Sequence, residues 1–256
     1  MTVSTTVDSG VATIVLDRPE RRNALSTQMR QDLLRALLDA GQNEAVRVVV
    51  IRGASRAFCA GADMSERSAP TIPNGRHRIH VAHAIVKAIA HLEKPVIAAV
   101  AGDAVGIGWS IALACDFILA SPSARFGQVF KKIGLAPDGG SVYLLAQYVG
   151  VLRAKELTMT GRLVGGEEAF RLGLITELVG DESLIARTNA LAQELADSAT
   201  LAMGMTKRLF LAAGGSDFDR FLEVESHVQN QLLQSQDHAE GVDAFLNKRA
   251  PHFKGR

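Results

Sequence analysis

The sequence has little cysteine, no long apolar run and no excess of either charge. Its two cysteines, Cys59 and Cys115, are too few for a disulfide framework. The 28 basic and 27 acidic residues nearly cancel, so charge gives no reason to expect a nucleic acid or an anionic membrane as a partner. No apolar run approaches the roughly 20 residues of a membrane span, and residues 1–10 show no signal-peptide pattern. We therefore expect a soluble cytoplasmic protein.

The residues that are present favour a large α/β core. The chain is 47% hydrophobic, which is ample for one large domain, or for one domain with an appendage. Alternation of polar and apolar residues around Ser9-Gly10 predicts a β-hairpin. Apolar runs predict further strands at residues 46–52, 96–100, 117–120 and 174–179. Helical spacing covers residues 26–37, 76–92, 141–148, 152–158, 167–172, 184–198, 200–212 and 218–234. Residues 65–75 and the segment that begins at Ala124 are expected to be loops.

The stretch 94–116, KPVIAAVAGDAVGIGWSIALACD, organises the rest of the chain. A buried strand leads through a glycine-rich turn, residues 102–108, into an alanine-rich helical segment. Backbone N–H groups at the start of that helix lack partners, and the helix dipole is positive there. Such a turn suits an oxygen that carries negative charge. Residues 57–64, AFCAGADM, are interpreted as a second strand that runs through small residues into a helix, with Asp63 near its start.

Two motifs around Ser110 suggest other kinds of site. Residues 106–111, GIGWSI, resemble the start of a dinucleotide fingerprint, but Ile111 replaces its third glycine and no P-loop lysine follows. Residues 108–112, GWSIA, approximate the nucleophile elbow of serine hydrolases, with alanine in place of the last glycine. A small residue that lets the helix pack is the favoured interpretation of Ser110, and a hydrolase stays a minority alternative.

The histidines and Cys59 give weaker signals. His77, His80 and His83 follow one another at intervals of three, which on a helix separates the outer two too widely for one metal ion. An exposed or pocket-lining helix face is the favoured interpretation. Cys59 is expected to be a small buried residue, because no cationic partner is evident that would activate a thiolate. No metal site is expected.

Asp138 is the acid with the most unusual surroundings. It follows Pro137, precedes two glycines and lies in an otherwise apolar stretch, residues 133–145. Its side chain could cap the helix that follows. Alternatively, the carboxylate could project into an apolar pocket, where burial would raise its pKa toward the range of a general base. Spacing alone favours the cap.

Taken together and in order, a set of segments resembles the enoyl-CoA hydratase/isomerase (crotonase) superfamily over nearly the whole chain. They are VATIVLDRPERRNALS (11–26), AFCAGADMSE (57–66), the stretch 94–116 quoted above, ARFGQVFKKIGLAPDGGS (124–141), AKELTMTGR (154–162), GLITELV (173–179) and AEGVDAFLNKRAPHF (239–253). Each is weak alone, whereas the ordered set is highly specific. The GLAPDGG segment and the last segment are closest to the 1,2-epoxyphenylacetyl-CoA isomerase branch.

The resemblance implies an α/β architecture, the crotonase-like (ClpP/crotonase) fold of repeated ββα units. Residues 1–198 would form the ββα spiral core with the acyl-CoA site. Residues 199–256 would form a C-terminal helical region for oligomerisation and coenzyme A contact. The substrate would be an acyl-CoA thioester, so coenzyme A is part of the substrate and no separate cofactor is expected. The assembly would be a homotrimer, or a hexamer made of two trimers.

The resemblance also implies roles for individual residues. The N–H groups of Ala62 and Ile107 would hold the thioester oxygen and stabilise an enolate, in agreement with the two turns described above. Asp138 stands where isomerase and dehalogenase branches keep an aspartate, which favours the base over the cap. The other substrate-binding residues would be Arg22, Ala24, Ala60, Asp63, Met64, Gly106, Ser110, Phe130 and Lys248.

Two departures from the family pattern bear on the reaction. Hydratases use two glutamates to activate water, and Ser110 and Phe130 stand at those positions, where neither can act as a carboxylate base. An isomerase with Asp138 as its base is the favoured hypothesis, for an enoyl-CoA or a ring-epoxide acyl-CoA, in a pocket kept apolar by Val129, Phe130 and Trp109. A hydratase (lyase) of fatty acid or aromatic acid degradation and a non-catalytic acyl-CoA binding protein stay as alternatives.

Overall fold

A computed structural model describes residues 2–66 and 71–256 of the chain. Its strands are β1 (Val3–Asp8), β2 (Val11–Leu16), β3 (Val48–Gly53), β4 (Val96–Val100), β5 (Asp103–Val105), β6 (Phe117–Ala120), β7 (Arg125–Gly127), β8 (Val164–Gly165) and β9 (Glu177–Leu178). Its α-helices are α1 (Thr27–Gln42), α2 (Ile72–His91), α3 (Ile107–Leu113), α4 (Ser141–Thr160), α5 (Gly166–Arg171), α6 (Leu184–Ala196), α7 (Thr200–Ala213), α8 (Phe218–Leu232) and α9 (Gln236–Leu246).

The larger sheet positions most of the core. Its strand order in the described part of the chain is β1-β2-β3-β4-β6-β9. The predicted hairpin of β1 and β2 is antiparallel, and every other neighbouring pair is parallel. Val49 and Ile51 of β3 face the main core, whereas Val48 and Val50 face a second apolar layer that includes residues of α6. Because both faces of the sheet are covered, its central strands are mostly apolar.

A smaller sheet, in the order β5-β7-β8, lies where the sequence predicts turns and loops. β5 forms the middle of the glycine-rich stretch 102–108, and it pairs in parallel with β7, which lies in the expected loop after Ala124. Both expectations are therefore wrong in part. Each of these strands is three residues long, too short for a periodic pattern, and only their pairing makes them strands.

The first helix is confirmed together with its cap. The Ser26 hydroxyl accepts a hydrogen bond of 3.1 Å from the Met29 N–H at the start of α1. α2 begins at Ile72, four residues before the predicted start, so the end of the expected loop 65–75 is wrong. Pro73 is compatible with that earlier start, because a proline in the first helical turn leaves no hydrogen bond unmade. Residues 67–70 of that loop lie outside the described residues.

Other element boundaries differ from the sequence predictions for local reasons. The helices predicted at 141–148 and 152–158 form one element, α4, with a kink at Gly150, where φ is 74°. Of the strand predicted at 174–179, only the two residues of β9 pair with β6. Residues 57–64 make isolated bridges rather than a strand, and they lead into a 3-10 helix, Met64–Glu66.

The C-terminal part is helical, as predicted, and its last residues are bound to α9. The carboxylate of Asp237 accepts hydrogen bonds of 2.6 Å and 2.8 Å from the backbone N–H groups of Lys254 and Gly255. The division of the chain at residue 198 stays a prediction. Of the helices in the described part of the chain, none has both the length and the apolar character needed to cross a membrane.

Candidate active site

Two glycine turns are held against each other beside α3. The Cys59 N–H donates to the Asp103 carbonyl oxygen at 2.8 Å, and the Val105 N–H donates to the Cys59 carbonyl oxygen at 2.9 Å. A Cβ at Gly108 would lie 2.3 Å from the Cys59 carbonyl oxygen, so no side chain fits there. Gly61 has a φ of +95°, and a Cβ on it would lie 2.9 Å from the Val105 carbonyl oxygen. The close approach of the two turns therefore requires glycine at both positions.

The N–H groups of Ala62 and Ile107 lie in these two turns. Neither donates a hydrogen bond to any residue that the structure describes. Ile107 is the first residue of α3, so its N–H has no acceptor within the helix. Both residues line the same cavity. The two turns thus present a pair of unsatisfied donors to one space, which the sequence predicts at both places.

The cavity has a volume of about 560 Å³. Much of its wall is small or apolar, and the acidic group on it is the Asp138 carboxyl, which is the one carboxylate among the described residues that line it. Arg30, Arg78 and Lys132 are the cationic residues of that wall. The remaining lining residues are Ala60, Gly61, Ala62, Met64, Thr71, Gly75, Ile79, Ala82, Val105, Gly106, Ile107, Val129, Phe130, Ile133 and Leu135.

Asp138 turns its carboxyl group to the cavity and does not cap α4. One carboxyl oxygen, Oδ1, is buried and has no hydrogen-bond partner among the described residues. Burial raises the pKa of Asp138 above its ordinary value, and the nearby charges of Arg30, His83 and Arg78 oppose that rise. The N-cap position is Gly140, and no side chain caps the helix there. The cap interpretation of the Asp138 side chain is therefore wrong.

The backbone of Asp138 is fixed by two serines. Its carbonyl oxygen accepts a hydrogen bond of 2.9 Å from the Ser110 hydroxyl and one of 3.0 Å from the Ser141 hydroxyl. The next residue, Gly139, has a φ of +63°, and a Cβ on it would lie 2.7 Å from the Cβ of Ser110 and 2.6 Å from Cδ1 of Ile107. The turn that carries Asp138 therefore packs directly on α3, at a place where Ser110 leaves room for it.

The sequence model of the enoyl-CoA hydratase/isomerase family matches residues 6–256. The chain belongs to the enoyl-CoA hydratase/isomerase family. It is 36% identical over 256 residues to the 1,2-epoxyphenylacetyl-CoA isomerase of Escherichia coli (strain K12), and the match covers 98% of this chain and 97% of that protein. It is 40% identical over 255 residues to a protein of Rhodobacter capsulatus named "Probable enoyl-CoA hydratase", with 100% and 98% covered.

A solved structure of an enoyl-CoA hydratase, from Bacillus anthracis, superposes with a TM-score of 0.95 at 31% identity and covers 100% of both chains. The crotonase-like fold implied by the resemblance is thereby confirmed. The protein is an acyl-CoA enzyme of the hydratase/isomerase superfamily. Its cavity contains several of the residues that the resemblance implies: Ala60, Ala62, Met64, Gly106, Ile107, Phe130 and Asp138.

The resemblance implies that Phe130 and Ser110 stand where hydratases keep their two glutamates. The Phe130 ring lies over the Gly106 turn, 3.6 Å from where a Cβ of that glycine would be. Ser110 is fully buried and does not line the cavity. Its single hydroxyl hydrogen is donated to the Asp138 carbonyl oxygen at 2.9 Å, with the Gly106 carbonyl oxygen a more distant acceptor at 3.3 Å, and this buried hydroxyl does not reach the cavity as a hydrolase nucleophile would need to. Trp109, expected in the pocket, lies in the core against Phe126, with ring centroids 5.8 Å apart.

Asp63 lies outside the cavity wall. Its carboxylate accepts hydrogen bonds from the N–H and the hydroxyl of Ser65, at 2.8 Å and 2.6 Å, and it pairs with Arg18 at 2.5 Å. These bonds lower the pKa of Asp63 to about 2, with the Ser65 hydroxyl as the largest cause. The side chain therefore holds the turn that carries the Ala62 N–H.

Three further residues implied by the resemblance also lie away from the cavity wall. The Arg22 guanidinium, which is 70% exposed, pairs with Asp103 at 3.0 Å. The Ala24 carbonyl oxygen accepts a hydrogen bond of 3.2 Å from the Arg18 side chain. Lys248 is exposed just after α9. A role for these residues toward coenzyme A stays a prediction.

Arg30 is a lining residue that the sequence interpretation missed. It lies on α1 among the apolar residues Met29 and Leu33, and it is 7% exposed. A signal was present, because Arg30 is three residues before Leu33 and seven before Leu37, on the apolar face of the helix.

Both cysteines are buried, and burial raises the pKa of the Cys59 thiol to about 12 and also raises that of Cys115.

Proposed function

We propose that the protein is an acyl-CoA isomerase in which Asp138 is the base. The observation that carries this proposal is the carboxyl group of Asp138, which faces the cavity with a buried, unpartnered oxygen and a raised pKa. Among the described lining residues it is the one carboxylate. A single carboxylate suffices for an isomerisation, because the group that takes a proton can deliver it to another carbon.

The N–H groups of Ala62 and Ile107 would hold the thioester oxygen. A thioester becomes an enolate when the carbon next to its carbonyl loses a proton, and the negative charge moves onto that oxygen. Two fixed donors without other partners suit this charge, and loss of one such donor costs about 3–4 kcal/mol of barrier in other enzymes. The positive end of α3 adds to the same effect at Ile107.

The proton transfers balance for a 3-enoyl thioester. Asp138 takes the proton from C2, so the C2–H bond breaks and its electron pair forms the dienolate with the charge on the thioester oxygen. The protonated Asp138 then gives the proton to C4, while the double bond moves from C3=C4 to C2=C3. The carboxylate is regenerated, and no water is consumed. A ring-epoxide acyl-CoA is a second possible substrate, supported by the similarity to the named isomerase of Escherichia coli.

Hydration is less well supported by the same residues. The two positions where the resemblance places the hydratase glutamates hold Ser110 and Phe130. The Ser110 hydroxyl donates a hydrogen bond to the carbonyl oxygen of Asp138, and a glutamate at position 110 would remove this donor. An ionised glutamate cannot donate a hydrogen bond, so it could not replace this contact.

Mass spectrometry of a medium-chain 3-enoyl-CoA incubated with the protein in heavy water tests the proposal. A 2-enoyl-CoA product without the mass of an added water is expected, with deuterium at C4 to the extent that the Asp138 proton exchanges with solvent. The variant D138N should lose about 10²–10⁴-fold in kcat, the usual contribution of a general base. A 3-hydroxyacyl-CoA product, or turnover retained in D138N, would contradict it. Tight binding without turnover of any enoyl-CoA would indicate a binding protein.

We also infer that the protein assembles as a homotrimer or as a dimer of trimers. Large apolar side chains are exposed on the C-terminal helices in the single chain, and they include Phe210, Phe218 and Phe245. Exposed apolar groups of this size favour burial between subunits. Sedimentation equilibrium would give the mass of the assembly, and a monomer would contradict the inference.

A further inference from the structure

Arg30 occupies a position on α1 where an apolar side chain would be expected. The residues that share its helix face, Leu33 and Leu37, are fully buried, and Arg30 itself is 7% exposed. Moving a guanidinium out of water is costly unless an anion or hydrogen-bond acceptors replace the water. A charged residue at such a position therefore needs a compensating partner.

The described residues do not supply that partner. The Arg30 Nε atom is buried and has no hydrogen-bond acceptor among them. No carboxylate of the described residues lies within 4.0 Å of the Arg30 guanidinium, and the charges of Glu66 and Asp138 act on it from farther away. Burial lowers the pKa of Arg30, which agrees with a cation that is poorly compensated.

A second arginine increases the imbalance. Arg78 of α2 lines the same cavity, and its positive charge acts against that of Arg30. The charged residues that line the cavity, among those described, are Arg30, Arg78, Lys132 and Asp138, which are three cations and one anion. Lys132 is exposed to solvent, whereas Arg30 is enclosed. A neutral acyl chain would leave the enclosed cation without a partner.

We propose that the acyl group of the substrate carries a second carboxylate, which binds to the Arg30 guanidinium with Arg78 beside it. A guanidinium binds a carboxylate through two parallel N–H···O bonds, which are among the stronger hydrogen bonds in proteins. The inference rests on the proposed function to the extent that the ligand is an acyl-CoA. It adds that the substrate is a carboxyacyl-CoA, that is, a dicarboxylic acid with one carboxyl group joined to coenzyme A as a thioester and the other free.

Binding of saturated thioesters tests this subsite without any turnover. Saturated acyl chains have no double bond to move, so failure of the isomerase proposal leaves the binding result intact. The probes are succinyl-, adipoyl- and suberoyl-CoA, each compared by calorimetry with the monoacid of equal length, butanoyl-, hexanoyl- or octanoyl-CoA. At one of these lengths the carboxyacyl-CoA should bind about tenfold to a hundredfold tighter, the range of a charge-assisted hydrogen-bonded pair. Equal or weaker binding at all three lengths would overturn the proposal.

Variants of Arg30 test whether this residue causes the preference for a carboxyacyl-CoA over the monoacid acyl-CoA. R30M should abolish it by weakening the carboxyacyl-CoA alone, and R30K, which keeps the charge, should retain part of it. R35M is the matched control, since Arg35 is exposed on the same helix, and it should leave the preference unchanged. If R30M does not fold, R30K and the wild-type comparison still decide the matter.

Binding of free coenzyme A distinguishes an Arg30 that binds the acyl carboxylate from an Arg30 that binds a phosphate of coenzyme A. Free coenzyme A carries all the phosphates and no acyl group, so its affinity should be the same in R30M as in the wild type. If R30M weakens free coenzyme A and both acyl series equally, Arg30 binds a phosphate and the proposal is wrong.

Discussion

The Ser110 hydroxyl donates a hydrogen bond of 2.9 Å to the backbone carbonyl oxygen of Asp138, 28 residues later in the chain. The backbone of the proposed base is therefore held in part by a residue of α3, the helix whose first N–H is a proposed oxyanion donor. At a position where hydratases of the family are expected to keep a glutamate, this chain has a hydroxyl that holds the backbone of a different acidic residue. On the proposed function, Ser110 would act on the reaction through the position of Asp138.

Replacing Ser110 with alanine should lower kcat with little change in KM. One neutral hydrogen bond contributes about 0.5–1.5 kcal/mol, so its loss should reduce kcat by about two- to tenfold. Steady-state kinetics with a 3-enoyl-CoA would measure the change. S216A is a suitable control, because the Ser216 hydroxyl makes a comparable bond to a helix carbonyl oxygen in the C-terminal region. An unchanged kcat in S110A would show that Ser110 does not position the base.

The variant S110E should not produce a hydratase. Ser110 is fully buried and its hydroxyl donates to the Asp138 carbonyl oxygen, so a glutamate there would remove that donor and bury a carboxylate beside a carbonyl oxygen. Isomerase turnover should fall further than in S110A, without a gain of 3-hydroxyacyl-CoA. A gain of 3-hydroxyacyl-CoA formation in S110E would contradict this expectation.

Gly139 and Gly140 provide a matched pair in one turn. Both have positive φ values, +63° and +72°, so alanine at either should cost about 1–2 kcal/mol of backbone strain. Only at Gly139 would the added Cβ also meet side chains, those of Ile107 and Ser110, whereas nothing lies within 4 Å at Gly140. We expect G139A to lose about 1–3 kcal/mol more in the free energy of unfolding, the usual range for overpacking. Denaturant unfolding of both variants would give the difference, and equal losses would contradict it.

Gly108 controls the distance between the two donor turns. A Cβ on it would lie 2.3 Å from the Cys59 carbonyl oxygen, so G108A must push α3 away from residues 59–62. A shift of the Ile107 N–H relative to the Ala62 N–H should lower kcat by about a hundredfold. G180A is the control, because its Cβ meets nothing within 4 Å. Hydrogen–deuterium exchange of α3 in G108A would separate a local shift from global unfolding, and retained kcat would exclude the proposed role of the turn.

The pH dependence of turnover should reflect the raised pKa of Asp138. A base acts in its ionised form, so kcat/KM, which reports the free enzyme, should fall as the pH falls through that pKa. Because burial raises it, this acid limb should lie at a higher pH than the ordinary aspartate value of 3.8. R30M should move the limb higher still, since the charge of Arg30 lowers the pKa of Asp138. A limb at or below 3.8 in the wild type would contradict the buried state of the carboxyl group.

The same pKa shift predicts that D138N is more stable than the wild type at neutral pH. Folding favours the protonated form of Asp138, so that contribution is complete below the unfolded pKa and is lost as the pH rises through the folded pKa. The Tm of D138N should therefore exceed that of the wild type near pH 7, and the difference should shrink toward pH 3. D39N, at an exposed position, is the control and should show no such pH-dependent difference in Tm.

The parts of the fold that depend on short-range patterns are predictable from the sequence. β4 and the start of α3 follow from an apolar run and a glycine-rich turn, and the N-cap of α1 follows from Ser26. The smaller sheet is not predictable in this way, because its strands have two or three residues and exist only through pairing over long sequence separations. The pattern of the chain also gives no sign that Gly139 packs on Ser110.

The candidate site, too, is predictable from the sequence where it depends on short-range patterns and not where it depends on tertiary contacts. The two donor turns are visible as glycine patterns, and Asp138 is singled out by its apolar neighbours and by the family resemblance. Its cap interpretation fails because the N-cap of α4 is Gly140, and it is the backbone carbonyl oxygen of Asp138, not its carboxylate, that accepts hydrogen bonds from Ser110 and Ser141. Arg30 was missed because a charged residue in a helix is ordinarily exposed, and its burial depends on how α1 packs against the cavity.

The burial of Cys59 and Cys115 determines what a thiol reagent can report about this protein. The chain has these two cysteines only, and both are enclosed with raised pKa values, so the folded protein presents little reactive thiolate. A chromogenic disulfide added during an assay would therefore react with released coenzyme A and not with the enzyme. Added to the protein alone, the same reagent becomes a probe of unfolding, because its colour can develop only as fast as the two thiols are exposed.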